Sequence, residues 1–346
     1  MQRKKTEEIL RFLKGYKHVA EIAEEAMFIH STKGVIFDVN ASAESLTGYS
    51  RRELLKMNVR QLHPREDDLR GKKALDIINK SAVEVDFDTH IRKKDGKIID
   101  VRIVGDKFRL LRRNFVIGVV RDISSTTKLA GMRKKIDYKS YKKFGKLVRR
   151  FRKGFPESIL VLVDIAEHRD PFTMMHSLMV TDNATMLARS IGLPENEIET
   201  IQLACIFHDI GKIGIRARVL TKAGGLTPSE YREIKSHPLY SVEIVKCIKS
   251  NKGLISIIKH HHENYDGSGY PSGLKGGRIP LGARILSIAD VYDALLSERA
   301  YRKAYSYRET LHIMKSEMSK KFDPVFLERF MECMFKQKQM TKAGVV

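Results

Sequence analysis

The sequence predicts a multidomain chain: an N-terminal α+β domain on a five-stranded antiparallel sheet, a helical linker, and a C-terminal all-α domain. Three observations carry this. Short β-branched runs punctuated by Lys-Gly and Asp-Gly turns fill residues 21 to 125. A strongly basic stretch with apolar residues at helical spacing follows. Beyond Pro156 no strand pattern persists, and histidines and aspartates gather in short tracts.

At 346 residues the chain can form two or three domains, each with its own core. Its formal net charge of +22 implies attraction to polyanions: nucleic acid, an anionic membrane face or phosphorylated small molecules. Cys205, Cys247 and Cys333 form no C-x-x-C, which argues against a disulfide framework and fits a reducing, cytoplasmic setting. The N-terminal residues run into an amphipathic stretch without the apolar region of a signal peptide. No apolar run approaches the roughly 18 residues that span a bilayer, so no transmembrane segment is expected.

Residues 1 to 20 read as an N-terminal helix, and residues 21 to 125 as a sensor-sized domain. Ala26 to His30 and Val35 to Val39 suit strands joined at Lys33-Gly34, and Ala41 to Leu46 and Arg51 to Met57 suit short helices. Val83 to Ile91 and Ile98 to Val104 flank Lys94-Asp95-Gly96, where Asp-Gly supplies the positive φ of a tight hairpin. Lys107 to Leu111 and Phe115 to Val120 form a further pair turning at Arg113-Asn114. The segments Val35-Ile36-Phe37-Asp38-Val39-Asn40, Leu46-Thr47-Gly48-Tyr49-Ser50, Arg92-Lys93-Lys94-Asp95-Gly96 and Gly118-Val119-Val120-Arg121-Asp122-Ile123 together resemble a PAS domain. No cysteine precedes Cys205, which excludes flavin-thiol photochemistry. Haem would need an axial ligand from His30, His63 or His90; a small metabolite or no ligand suits the segment better, and the PAS ligand is unknown.

Residues 126 to 156 form the basic linker. From Lys128 to Lys153, twelve Lys/Arg stand against one acid, Asp137, so these 26 residues carry +11 of the chain's +22. Leu129, Met132, Ile136, Tyr141, Phe144, Val148, Phe151 and Phe155 are spaced by three or four, with a single five, which is a near-heptad seam. A helix pairing with its copy in a homodimer accounts for both features; a solvated helix lying on the next domain is the alternative. No groove-reading motif supports specific nucleic-acid binding.

Residues 157 to 346 read as helices throughout: Ser158 to Glu167, His176 to Ser190, Glu195 to Phe207, Pro228 to Ser250, Leu254 to His261, Leu281 to Ser297, Tyr307 to Ser319 and Asp323 to Lys336. Thr227-Pro228-Ser229-Glu230 is a capping box with proline in the first turn. Glycines concentrate in the loop Asp266 to Gly277.

The chemistry lies in His208-Asp209-Ile210-Gly211-Lys212, Lys259-His260-His261-His262-Glu263 and Asp266-Gly267-Ser268-Gly269-Tyr270-Pro271. Imidazoles and carboxylates gathered this way are what a polynuclear metal centre needs, and such centres hydrolyse phosphate esters. At a helix terminus His208 and Asp209 can bend toward one point, and an aspartate's two oxygens can bridge two metals. Lys212 can reach a phosphate. His176 alone would be an ordinary satisfied side chain. His237-Pro238 falls inside a long helical stretch, where the proline invites a kink. At most two of His260, His261 and His262 can face one way. Asp290, in the apolar run Ile285 to Leu295, wants a cation.

In that order, with Ile279-Pro280-Leu281, Asp293-Ala294 and Arg299-Ala300-Tyr301-Arg302, these motifs resemble the HD-GYP subgroup of the HD phosphohydrolase superfamily. The resemblance implies a phosphodiesterase that cuts cyclic di-GMP to the linear dinucleotide and GMP, using two divalent metal ions, iron or manganese. It implies His176, His208, Asp209, His237, His261, His262 and Asp290 as metal ligands, with Asp209 as bridge and His208, Asp209 and Lys212 as the catalytic group. It implies Lys212, Gly269, Tyr270, Pro271, Arg299 and Arg302 as substrate-binding. Some family members carry a third-metal glutamate where this chain has Phe172, which favours two metals; Glu167 is a distant substitute. The alternatives are an HD hydrolase of another cyclic nucleotide or mononucleotide, and an adaptor binding signalling proteins through the same surface.

Overall fold

The computed structural model describes residues 20, 23, 25–64, 85–110, 113–124, 173–220, 222, 224–246, 251–297 and 303–342. The chain divides into two compact units, Met1–Arg169 and Asp170–Val346. The N-terminal helix up to residue 19, the basic linker with its dimer seam, and the helix expected from Ser158 to Glu167 lie outside the described residues.

In the first unit, strands β1 (Ala26–Ser31), β2 (Ile36–Val39), β3 (Val85–Arg92), β4 (Ile98–Leu110) and β5 (Arg113–Asp122) form one sheet in the order β2-β1-β5-β4-β3. Every pairing is antiparallel. Short helices α1 (Ala41–Thr47) and α2 (Arg51–Leu54) follow β2. Asn40 ties these pieces together: its carbonyl oxygen accepts from Met27 N and Ala43 N, and its amide donates to Glu25 O at 2.8 Å. Ser50 and Glu53 complete a capping box at α2. Gly96 takes φ 86°, as the Asp-Gly hairpin requires. Phe28, Ile36, Val39, Leu54, Ile91, Ile99 and Val101 close the core.

Two expectations need correction. Ile98 to Val104 and Lys107 to Leu111 are not separate strands but one, β4, running straight through Gly105. Gly105 is held extended because it pairs on both sides, with Val85 and with Gly118. Arg113 and Asn114 are not turn residues; they belong to β5 and pair with Leu110 and Arg109 of β4. His30, His63 and His90 each already hold a protein partner: Ser31 O, His90 O and Asp100.

The second unit contains α3 (Thr173–Ser190), α4 (Glu195–Phe207), α5 (Ala217–Leu220), α6 (Pro228–Ile234), α7 (His237–Lys246), α8 (Lys252–His260), α9 (Leu281–Leu296), α10 (Tyr307–Ser316) and α11 (Pro324–Lys342). A 3-10 turn, Ile210–Gly214, follows α4. Helix α4 is buried along its second half, from Ile201 to Phe207, and packs against α3, α8 and α9. Truncating a fully buried ring such as Phe207 to alanine would cost about 3–5 kcal/mol.

The single helix expected from Pro228 to Ser250 is in fact α6 and α7, broken at Lys235-Ser236. Pro238 explains the break. It has no N–H to give to the carbonyl four residues back, Ile234 O. His237 Nδ1 lies 2.7 Å from that oxygen and bonds it instead.

Candidate metal centre

Three histidines reach the centre by one local device. His208 follows the last residue of α4, His237 opens α7, and His261 caps α8. The last turn of a helix leaves carbonyls without intrahelical donors. His208 Nδ1 bonds Cys205 O at 2.8 Å, His237 Nδ1 bonds Ile234 O at 2.7 Å, and His261 Nδ1 bonds Ile258 O at 2.7 Å. A carbonyl only accepts, so each Nδ1 carries a proton and each Nε2 is left to face the centre. All three Nε2 atoms are buried without a hydrogen-bond partner.

These nitrogens gather around Asp209. Oδ2 of Asp209 lies 3.3 Å from His208 Nε2, and Oδ1 lies 3.2 Å from His237 Nε2, in neither case with hydrogen-bond alignment. Lys212 Nζ donates to Asp209 Oδ2 at 2.6 Å. On the other side, His176 Nε2 is 3.0 Å from Asp290 Oδ1. The ring centres of His261 and His262 are 4.0 Å apart, and that of His262 lies 5.0 Å from that of His237. Three overlapping groups each bring their ligand atoms within 4.8 Å of one another: His237–His261–His262, His176–His208–Asp290 and His208–Asp209–His261. The third group joins the first two.

The electrostatics suit a cation. Burial opposes charge on Asp209, but His208 and Lys212 outweigh it and hold the carboxyl well below the usual range. Asp290 is likewise held low against burial, by His176 and His208. Burial, with His208 and His237 nearby, pushes His261 down to about 3, so its ring is neutral and ready to ligate. Burial, with His261 and His237 nearby, depresses His262 as well. His176 differs: burial opposes its charge, yet hydrogen bonds to Asp290 and Asp293 raise it to about 10. His176, His208 and Asp290 are the residues that would hold a divalent ion on this side. Orphaned buried nitrogens beside ionised carboxylates fit such an ion, not an apolar core.

Close approaches lock the frame. A side chain at Gly211 would collide with the His237 carbonyl and the Ser241 amide. Ser241 Oγ donates to His208 O at 2.7 Å and accepts from Gly211 N at 2.8 Å, binding the turn after α4 to α7. Gly269 lies against the backbone of Glu263 and Asn264, leaving no room for a Cβ. Tyr270 N donates to His262 O at 3.1 Å, and the Tyr270 ring stacks on His262 at 4.9 Å. Pro271 follows through a cis peptide bond.

All seven residues expected as ligands are thus brought together, with Lys212, Tyr270 and its flanking Gly269 and Pro271 beside them. His260 turns away: its Nδ1 bonds Ser256 O at 2.9 Å. Arg299, Arg302, Cys247, Phe172 and Glu167 lie outside the described residues. Sequence reasoning missed the supporting residues. Asp293 accepts from His176 Nδ1 at 2.6 Å, and its position one helical turn after Asp290 was the available signal. Glu263 is buried, and its carboxylate accepts from Ser272 N and Leu274 N at 2.7 and 3.0 Å.

Residues 160–326 match the family model of the HD domain, and residues 24–125 that of the PAS domain. The chain carries a PAS domain followed by an HD domain. Every residue of the cluster falls within the HD match. The HD segment is 39% identical over 170 residues to the cyclic di-GMP phosphodiesterase response regulator RpfG of Xanthomonas campestris, covering 49% of this chain and 45% of that one. It is 36% identical over 189 residues to a probable cyclic di-GMP phosphodiesterase of Vibrio cholerae, covering 50% and 43%. A 3'3'-cGAMP-specific phosphodiesterase 3 of Vibrio cholerae is 34% identical over 160 residues, covering 46% and 35%. The chain therefore spans less than half the length of these curated relatives. Among the described residues, no helix is long and apolar enough to cross a membrane.

Proposed function

We propose that the chain is a cyclic di-GMP phosphodiesterase whose HD domain holds two divalent ions, iron or manganese, under control of the PAS domain. The observation that carries this is the pair of three-residue groups joined through His208, Asp209 and His261. His237, His261 and His262 would hold one ion, and His176, His208 and Asp290 the other. Asp209, with one oxygen toward His208 and the other toward His237, would serve both. Bound divalent ions supply Lewis acidity and a water acidic enough to be activated at neutral pH.

The chain's own residues supply the rest. Carbonyl-anchored imidazoles hold their lone pairs in place before substrate arrives, so little reorganisation remains to be done. Lys212 stands where it can offset charge on the phosphoryl oxygens in the transition state. Gly269-Tyr270-Pro271 forms one wall of the site, and Arg299 and Arg302 are assigned to substrate. Water adds to phosphorus, the bond to the ribose 3'-oxygen breaks, and the leaving oxygen takes a proton. The first product is the linear dinucleotide, and a second cut gives GMP.

Asp209→Ala tests this. Metal content and cyclic di-GMP turnover are both expected to collapse while circular dichroism stays unchanged. Normal turnover by the folded variant refutes the assignment. The similarity to a 3'3'-cGAMP-specific enzyme favours one second reading, a mixed cyclic dinucleotide as substrate; comparing kcat/KM for the two dinucleotides decides between them. A homodimer through the basic linker and a cytoplasmic setting complete the proposal.

A further inference from the structure

Beside the metal cluster, Lys235 Nζ lies 4.5 Å from the ring centre of Tyr231 and 5.1 Å from that of Tyr270. The Tyr270 ring in turn stacks on His262 at 4.9 Å. Aromatic rings and one ammonium thus run in a row from a proposed ligand out to Tyr231, which is 50% exposed. Tyr231 and Lys235 lie one helical turn apart, where Lys235 N donates to Tyr231 O at 3.1 Å. Lys235 is also two residues before His237, so the break that aims His237 inward also sets the position of this ammonium.

Ring faces attract a cation but do not neutralise it. Among the described residues, no carboxylate pairs with Lys235. A half-buried amine held against two rings and paired with no carboxylate suits an anion. Its distance from His262 is bounded by the two ring steps of 5.1 and 4.9 Å, a span that one molecule held at the cluster can cover. A cyclic dinucleotide carries two phosphates and two purines on one small ring, and only one phosphate can occupy the cluster.

We propose that Lys235 receives the second, uncut phosphate of a cyclic dinucleotide, and that Tyr231 is the stacking platform for the adjoining purine. This rests on the phosphodiesterase reading and adds the determinants that select a dinucleotide over a simple diester. Neither residue touches the reacting phosphorus; both act on substrate affinity.

The test uses the full chain and the variants Lys235→Met, which keeps the packed stem, Tyr231→Leu and Tyr231→Phe. KM and kcat are measured for cyclic di-GMP and for bis(p-nitrophenyl) phosphate, a diester with one phosphate and no purine. Equilibrium binding of cyclic di-GMP is measured on an Asp209→Asn background. Loss of a charged hydrogen bond or a stacked base weakens binding by about tenfold or more. Lys235→Met and Tyr231→Leu are therefore expected to raise KM for cyclic di-GMP about tenfold more than KM for the simple diester, with Tyr231→Phe close to wild type. Lys235→Met should also flatten the salt dependence of cyclic di-GMP binding. Unchanged KM and binding in both variants, with hydrolysis intact, overturn the subsite alone. A wild-type chain that cuts neither compound overturns the hydrolase reading, and one that also fails to bind cyclic di-GMP overturns the subsite with it.

Discussion

Asp293 accepts a hydrogen bond from His176 Nδ1 at 2.6 Å, although the two residues stand 117 positions apart in the chain. The bond leaves His176 Nε2 to face Asp290. Carboxylates that hold the far nitrogen of a ligating histidine typically account for 10–100-fold in metal affinity. Asp293→Ala is expected to weaken metal binding by about that factor and to cost about 1–3 kcal/mol for the buried N–H left unpaired. Metal retained after dialysis against graded chelator is the readout. Wild-type retention by the folded variant would mean that His176 orients itself without Asp293.

The chelated chain should lose stability as pH falls from 6.5 to 5. His261 has a folded pKa of about 3 and an unfolded one near 6.5. Below pH 6.5 the unfolded chain therefore binds more protons, and acid favours unfolding. His262, also depressed, adds the same sign. His176 has the opposite linkage: raised to about 10, its contribution is complete below pH 6.5 and is lost only as pH climbs toward 10. Burial also depresses His30 and His260, which add to the slope with the same sign, with a limit of about 1.4 kcal/mol per pH unit for each group. Denaturant midpoints of the chelated chain across this window measure it, and His261→Asn should make the slope shallower. A flat profile in the wild type contradicts a neutral buried pair.

Glu263 fixes the loop that carries Tyr270. Both of its oxygens accept backbone N–H groups of that loop, at Ser272 and Leu274. Glu263→Gln replaces one acceptor with an amide that cannot accept, so one loop N–H loses its partner. The expected result is a rise in KM for cyclic di-GMP with metal content unchanged, read by steady-state kinetics beside metal analysis. Loss of metal instead would place Glu263 in the cluster's own support.

Removing metal should lower the thermal midpoint of the HD domain. An ion bound only by the folded state at a hundred times its Kd contributes about 2.7 kcal/mol. Calorimetry before and after chelation, and after Mn readdition, is the measurement. An unchanged midpoint is incompatible with ions held by four helix ends and Asp290.

The sequence by itself determined the two kinds of secondary structure and which residue types would do the chemistry. Asp95-Gly96 and Thr227-Pro228-Ser229-Glu230 carry their geometry locally, in a positive φ and in a reciprocal cap. His208, Asp209 and His237 announce themselves by residue type and by the kinks around them. The tertiary structure alone decided where strands continue and what supports the ligands. Gly105 reads as a break until partners on both sides hold it extended, and Pro238 splits a helix whose lost bond His237 replaces. Asp293, Glu263, Tyr231 and Lys235 acquire roles only through neighbours distant in sequence, because burial and hydrogen bonding depend on what packs nearby. Resemblance to a family named the candidate ligands; only the convergence of the helix ends brings them together.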